Sequence, residues 1–143
     1  MRLVGVVALV FGFGLVSGVG HASESPVGTW RMANGKVTVR VSQCGAGMCA
    51  RVVALKKPRD DEGRPRVDKE NPNPALRQRP VIGLTVLSNM KARGKGRWSG
   101  TIYNPDDGNT YSSAIQITGP STMKVNGCVA GVLCKSTKFI RVD

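Results

Sequence analysis

Polar and apolar residues alternate along most of the chain after residue 28. The segment from Lys36 to Ser42 places three valines on one face of an extended backbone and four polar side chains on the other. No segment after residue 22 shows a sustained apolar stripe at helical spacing. The alternation therefore predicts an antiparallel sheet with one buried and one hydrated face. The predicted strands cover residues 28–32, 36–43, 49–56, 81–88, 96–103, 110–117, 122–127 and 135–142.

Short turn sequences separate several of these strands. Asn34-Gly35 fits a two-residue hairpin, residues 105–108 fit a tight turn, and residues 119–121 fit another turn. Eight short strands joined in this way predict one all-β domain, an antiparallel up-and-down β-barrel whose closure leaves no exposed sheet edge. A two-sheet sandwich is the alternative.

One long segment, residues 57–79, interrupts the alternation. It is rich in proline and charged residues, and loops of this length are usually functional or disordered. Residues 71–77 predict a single helical turn within it. Two interpretations stay open: a flexible, solvated excursion, or a structured flap over one end of the barrel.

The first 22 residues predict a cleaved signal peptide. Arg2 precedes an apolar stretch from Leu3 to Val16, and Gly20-His21-Ala22 fits a cleavage site of small residues. An uncleaved membrane anchor is the alternative, but the stretch is rich in glycine and no basic residue follows it before Arg31. We expect residues 23–143 to form one periplasmic, soluble domain. No cysteine lies near the cleavage site to carry a lipid anchor.

Removal of the leader leaves 20 basic and 9 acidic side chains, a net charge of +11. It also removes His21, the only histidine in the sequence, which excludes catalytic and metal sites built on imidazole. An exported basic protein meets lipid phosphates, lipopolysaccharide and anionic cell-wall polymers rather than nucleic acid. The candidate contact surface is a glycine-spaced segment, called the basic turn below; a solvated hairpin tip is the alternative. The basic turn consists of Lys91, Arg93, Lys95 and Arg97.

Four cysteines form two local pairs, and an oxidising compartment favours disulfides. We predict the pairs Cys44–Cys49 and Cys128–Cys134, with residues 45–48 as a four-residue hairpin loop. Zinc ribbons usually have two residues between paired cysteines, whereas here four and five intervene. A metal site is therefore not predicted, and no cofactor is predicted either.

The two ends of the domain carry a matching pair of motifs. Gly28-Thr29-Trp30 opens the first strand and Arg141 lies on the last. The arrangement resembles lipocalin-like barrels, in which a tryptophan lies across the closed end and an arginine packs over its ring. An ordinary core tryptophan and a surface arginine form the alternative.

A longer series of motifs covers essentially all of the mature chain. It comprises Gly28-x-Trp30, Cys44 to Cys49 with Arg51-Val52-Val53, Asp68-x-x-Asn71-Pro72-x-Pro74-x-Leu76-x-x-Arg79-Pro80-x-x-Gly83-Leu84, Trp98-x-Gly100-x-Ile102-Tyr103-x-Pro105-x-x-Gly108-x-x-Tyr111, Gly127-Cys128, Cys134 and Arg141-Val142. In this order the chain resembles the bacterial domain-of-unknown-function family 2147, small exported proteins of lipocalin-like architecture. The resemblance implies the barrel and the location but no chemistry. Ala50, Asn104 and Phe139 stand where the family tends to have Gly, Asp and Trp, which weakens any carboxylate site at Asn104.

No catalytic set emerges from the sequence. Ser88-x-x-Lys91 and Ser121-x-x-Lys124 match the spacing of acyl enzymes, but they fall at strand ends or turns and the partner motifs are missing. Asp106 and Asp107 could bind calcium, although one short turn offers too few oxygen ligands. We therefore expect a protein that is not an enzyme, with an unknown enzymatic reaction as the third reading.

The predicted function is the binding of a small, partly apolar, anionic ligand. An eight-stranded barrel holds either its own side chains or one small ligand, and Gly100 is expected to leave a gap on the inward face. The predicted ligand-binding residues are Arg77, Arg79, Trp98, Tyr103 and Tyr111. An ion pair between Arg79 and Asp68, tying the loop down, is the alternative role for Arg79. We expect the protein to be a monomer. The alternative function is contact of the basic turn with an anionic surface of the cell envelope.

Overall fold

The chain folds into a closed barrel of eight strands in the part that the computed structural model describes, residues 14–15, 18, 25–130 and 132–143. The strands are β1 (Gly28–Met32), β2 (Val37–Cys44), β3 (Gly47–Leu55), β4 (Thr85–Ala92), β5 (Arg97–Asn104), β6 (Asn109–Gly119), β7 (Thr122–Val129) and β8 (Leu133–Arg141). The predicted signal peptide lies outside the described residues except for residues 14, 15 and 18. Within the described ranges, no helix has the length and apolar character needed to cross a membrane.

Each strand pairs antiparallel with the next, and β8 pairs with β1. The predicted all-β, up-and-down barrel is thus confirmed, and the sandwich alternative is wrong. The seam that closes the barrel is short, because β1 is the shortest strand. Its register pairs are Trp30–Arg141, Arg31–Ile140 and Met32–Phe139.

The two ends of the barrel differ in how they are filled. Near the start of β1 and the end of β8, Trp30, Met90 and Met123 are at most 1% exposed; we call this the closed end. The opposite end, called the open end, carries the β1–β2, β3–β4, β5–β6 and β7–β8 connections. Apolar side chains therefore fill one end of the barrel and leave the other accessible.

The largest error in the predicted strands concerns β4, which was expected at residues 81–88 and begins only at Thr85. Residues 81–84 form a turn in which the Leu84 amide donates to the Val81 carbonyl at 3.0 Å. Both side chains are buried nonetheless. A buried turn has the same apolar content as a strand, so the pattern could not separate the two.

Both predicted disulfides, Cys44–Cys49 and Cys128–Cys134, are confirmed. The loop predicted inside the first one is wrong. Strand pairing continues until Cys44 lies opposite Gly47, so only residues 45 and 46 form the turn. Cys49 lies opposite Ser42, and the disulfide therefore joins residues that are offset along the hairpin.

Residues 56–84, called the long loop below, have their own hydrogen-bonded structure. Isolated bridges pair Arg59 with Pro65 and Val67 with Pro80. A 3₁₀ turn spans Pro74–Leu76 and is capped by Asn73, whose side chain accepts from the Ala75 amide at 3.0 Å. The structure fits the flap interpretation, and the helical turn predicted over residues 71–77 is reduced to these three residues.

Gly100 does not leave the gap predicted for it. A Cβ at this position would lie 2.6 Å from the Asn89 carbonyl oxygen and still closer to that of Ser88. The pairing of β4 with β5 is irregular between Ser88 and Lys91, where the β4 backbone bulges toward the glycine. The glycine accommodates a neighbouring strand, and the open space of the barrel lies elsewhere.

Candidate ligand-binding site

A cavity of about 1630 Å³ occupies the open half of the barrel. Side chains on the inward faces of the strands form its wall, and the long loop and the β5–β6 turn border it. Its floor is apolar, because the alternation of the strands turns hydrophobic residues inward. The floor residues include Val39, Val52, Leu87, Ile102, Val125 and Phe139.

Trp30 and Arg141 seal the closed end beneath this floor. The Arg141 guanidinium carbon lies 4.2 Å from the centroid of the Trp30 ring, a cation–π geometry. The Trp30 Nε1–H donates to the Pro26 carbonyl at 2.8 Å. Glycine suits position 28 because its φ of 141° is one that other residues rarely adopt, and a Cβ would also displace Nη1 of Arg141. The Gly-x-Trp motif and Arg141 thus form one plug that shuts this end to a ligand.

The rim of the cavity carries most of the acidic side chains of this basic protein. Six of the nine Asp and Glu residues line it, together with only three basic residues. The acidic residues are Asp60, Asp61, Glu62, Glu70, Asp106 and Asp107, and the basic ones are Arg64, Arg66 and Lys69. The mouth is therefore acidic although the chain as a whole is strongly cationic.

Several rim carboxylates form ion pairs or hydrogen bonds with side chains of the same rim. Arg64 lies 3.0 Å from an oxygen of Asp60 and 3.3 Å from one of Glu62. Backbone and side-chain hydrogen bonds from Arg64 lower the pKa of Asp60, although desolvation opposes the shift. The Tyr111 hydroxyl donates to Asp107, which lowers the pKa of the carboxyl and raises the pKa of the phenol. Asp60 and Asp107 therefore stay ionised at neutral pH.

Lys135 is the one charged side chain among the described strand residues that line the cavity. It lies in β8 opposite Gly127, and it alternates in register with Leu133, Thr137 and Phe139, which also line the cavity. No described carboxylate forms an ion pair with it. An unpaired cation therefore stands on the wall between the apolar floor and the acidic rim.

Asp68 anchors the long loop over the barrel. Its side chain is completely buried and accepts from the Tyr103 hydroxyl at 2.6 Å, from Asn71 Nδ2 at 2.8 Å and from Arg79 Nε at 3.0 Å. Burial disfavours its ionised form, but these hydrogen bonds and the Arg79 charge outweigh burial and lower the pKa of Asp68. Desolvation, followed by the bond to this carboxylate, raises the pKa of Tyr103. This cluster, called the Asp68 clasp, fixes the loop to β5.

The five predicted ligand-binding residues separate into two groups. Tyr103 and Tyr111 line the cavity, whereas Trp98 packs against the hydrophobic core. Arg77 Nε donates to the Asn71 carbonyl at 2.7 Å, and Arg79 belongs to the Asp68 clasp. Neither arginine lines the cavity. Both guanidinium groups therefore form hydrogen bonds within the long loop, and contact of either with an anionic head group stays a prediction.

The basic turn lies at the closed end, between β4 and β5. Arg93 Nε donates to Ser99 Oγ at 2.7 Å, and the side chains of Lys91 and Arg97 are exposed. The turn is thus separated from the cavity by the core of the barrel. Asp106 and Asp107 lie in a different turn at the open end, and the described residues contain no cluster of three or more Asp, Glu, Cys or His suited to a metal ion.

Lys135 and the rim carboxylates were missed as site residues. The alternation from Leu133 to Phe139 could have placed Lys135 inside, because Phe139 is apolar and lies four positions away on the same face. The carboxylates are dispersed between residues 60 and 107, and only the folding of the long loop against the β5–β6 turn brings them together. No local sequence signal contains that juxtaposition.

The family model described as "Uncharacterized protein conserved in bacteria (DUF2147)" matches residues 28–141. No curated protein matches the chain. Among solved structures, the chain is similar to protein HP1028 from the human pathogen Helicobacter pylori, which is described as belonging to the lipocalin family. The two share 23% sequence identity over 82% of each chain, with a TM-score of 0.70. This likeness shows a lipocalin-like fold.

Proposed function

The chain belongs to the bacterial family DUF2147, and from this premise we propose that it is a non-catalytic barrel that binds a small, partly apolar ligand in its cavity. Lipocalin-like architecture suits small-molecule binding, because eight strands enclose space for one ligand. The observation that carries the proposal is the cavity of about 1630 Å³ with an apolar floor and one unpaired cation, Lys135, on its wall. We propose further that residues 1–22 are a cleaved leader and that the mature domain, residues 23–143, works in the periplasm as a monomer.

The ligand carries one anionic group that reaches Lys135 while its apolar part contacts the floor. Lys135 takes the role first expected of Arg77 and Arg79, since those side chains are engaged within the long loop. The acidic rim opposes ligands with several negative charges, because each charge would pass close to Asp61 and Glu70. Neither carboxylate forms an ion pair with another described residue. A single carboxylate or phosphate on an apolar body fits this arrangement.

Titration with a dansyl-labelled fatty acid tests the proposal directly. Lys135→Met should weaken binding about 5-fold, the scale expected for a solvent-accessible ion pair. Lys138→Met is the matched control, because Lys138 lies on the same strand but at an outward position and is exposed. A methyl ester of the same probe should bind both variants equally.

A second variant tests the cavity rather than the charge. Gly127 lines the cavity, and a Cβ there would lie 3.4 Å from Ile102 Cγ2. A leucine at this position therefore projects into the space, and Gly127→Leu should abolish uptake of both probes. If the wild-type protein takes up neither probe, and native mass spectrometry of protein purified gently from the periplasm shows no bound molecule, the ligand proposal is refuted.

Contact with an anionic surface of the envelope is the second candidate function. The specific observation in its favour is the charge of the strands: none of the eight contains Asp or Glu, whereas nine Lys or Arg residues lie in them. Binding to lipopolysaccharide that falls steeply with salt, and that is lost on neutralisation of the basic turn, tests this candidate.

A further inference from the structure

A row of three cations crosses the outer wall of the barrel, and only one of them, Arg97, also belongs to the basic turn. Strand register places Arg97 of β5 beside Gln116 of β6, Gln116 beside Lys124 of β7, and Lys124 beside Lys138 of β8. All three cations are exposed. We call Arg97, Lys124 and Lys138 the basic row; adjacent strands are about 4.8 Å apart, so it extends across about 15 Å of wall.

The basic row has no internal neutralisation. Lys124 and Lys138 are direct cross-strand neighbours, and like charges in that position destabilise a sheet. No ion pair to any of the three cations occurs among the described residues. The six rim carboxylates, which could have balanced the charge, lie at the opposite end of the barrel. An anionic partner outside the molecule would supply the missing counter-charge.

Apolar side chains continue the row toward the closed end. On β8, Ile140 follows Lys138 on the outward face and is 40% exposed, and Val142 beyond it is also 40% exposed. Exposed aliphatic side chains beside basic residues are typical of surfaces that enter the interface of an anionic bilayer. Nucleic acid is a poorer fit, because no aromatic side chain is free here to stack on a base. The described aromatic residues either pack in the core or bond carboxylates, namely Trp30, Trp98, Phe139, Tyr103 and Tyr111.

We propose that the basic row and Ile140 form a docking face for an anionic phospholipid bilayer, with the cavity mouth directed away from that surface. The charge distribution of the molecule supports this orientation, since the mouth is acidic and β5, β7 and β8, which carry the row, contain no Asp or Glu. Asp143 near the closed end is already paired with Arg40 and Arg141. The proposal names a face and a partner that the basic turn alone does not specify. It shares with the second candidate function only the need for an anionic surface, and it does not depend on a cavity ligand.

Sedimentation with sucrose-loaded vesicles of equal parts phosphatidylglycerol and phosphatidylcholine tests the docking face. Each cation near such a surface changes partitioning about 5-fold, so Lys124→Ser/Lys138→Ser should reduce it about 30-fold. The matched control is Lys36→Ser/Lys56→Ser, an exposed pair at the open end whose backbones are hydrogen-bonded to each other. It removes the same charge and should change partitioning less than 3-fold. Vesicles of phosphatidylcholine alone should bind none of the proteins.

Three results would overturn the proposal. The first is an equal loss in both double variants, which would mean that only net charge matters. The second is binding that ignores the lipid charge. The third is tighter, row-dependent binding to duplex DNA than to the vesicles. Thermal unfolding checks that the variant is folded. Since Lys124 and Lys138 repel each other, the double variant should unfold at the wild-type temperature or above it. A Lys91→Ser/Arg93→Ser variant measures the basic turn separately and distinguishes failure of the row from failure of that candidate.

Discussion

Replacing Asp68 with asparagine removes the charge at the centre of the Asp68 clasp and leaves its shape intact. The amide oxygen can still accept from Asn71 and Arg79, and the Tyr103 hydroxyl can reverse to accept from the new amide. The bonds with Tyr103 and Asn71 thus become neutral ones, which are roughly half as strong, and the bond from Arg79 keeps its charged donor but loses the charged acceptor. At about 1 kcal/mol lost per bond, and less for Arg79 because it is 39% exposed, Asp68→Asn should cost about 2 to 3 kcal/mol.

The loss should appear first in the long loop. If the loop detaches before the barrel unfolds, about 2 kcal/mol raises the detached fraction about 30-fold, and trypsin cleavage between residues 56 and 84 should accelerate by that factor. Asp61→Asn is the control, since Asp61 is an exposed carboxylate of the same loop and surface substitutions usually change stability little. Urea unfolding at neutral pH measures the global effect in parallel.

The pH dependence follows from the lowered pKa of Asp68. Its ordinary pKa is 3.8 and its folded pKa is lower, so the clasp stabilises the protein fully above pH 3.8 and loses this contribution as pH falls below that value. Wild type and Asp68→Asn should therefore converge in stability on acidification, as measured by urea unfolding across this pH range. The reasoning fails if Asp68→Asn resembles Asp61→Asn at neutral pH, or if the difference between Asp68→Asn and wild type persists in acid.

Three further outcomes are expected. Gly108→Ala should destabilise the protein by several kcal/mol in thermal unfolding, because a Cβ there would overlap the Glu70 carbonyl. Gly35→Ala should cost only about 1 kcal/mol, since Gly35 has a similar positive φ but open surroundings. Equal costs for the two variants would contradict the contact with Glu70. Trp30→Ala should cost about 3–5 kcal/mol in urea unfolding, as expected for a fully buried aromatic residue, and a loss below 1 kcal/mol would contradict the closed-end plug. Exported protein should begin at Ser23 and show no free thiol; intact mass and thiol titration measure both, and a retained leader or titratable thiols would refute the assignment.

The fold was accessible from the sequence because its determinants are local. Alternation in β2 and β5, the turn residues between strands and the two cysteine pairs each act over fewer than about ten residues. The apolar–polar pattern gave a wrong strand where residues are buried without pairing in the sheet. Val81 and Leu84 are such residues, since they lie in a buried turn. The strand bulge at Asn89, with φ of 53°, likewise has no signal in an apolar pattern.

The site was less accessible because it depends on how distant segments meet. Arg79 could be assigned to Asp68 or to a ligand from sequence alone, and only the folded loop shows the hydrogen bond that engages it. The acidic rim brings together residues as far apart in the sequence as Asp60 and Asp107. The sequence gives the net charge of the whole chain, but the separation of acidic side chains at the mouth from basic side chains on the wall depends on the topology of the barrel.

The short seam between β1 and β8 gives the barrel a built-in line of weakness. Three register pairs hold it, with flanking hydrogen bonds from the Ala33 amide to the Lys138 carbonyl and from the Val142 amide to the Thr29 carbonyl. Neither disulfide crosses it, since each lies within a single hairpin. Both disulfides would therefore survive a transient separation of the first and last strands.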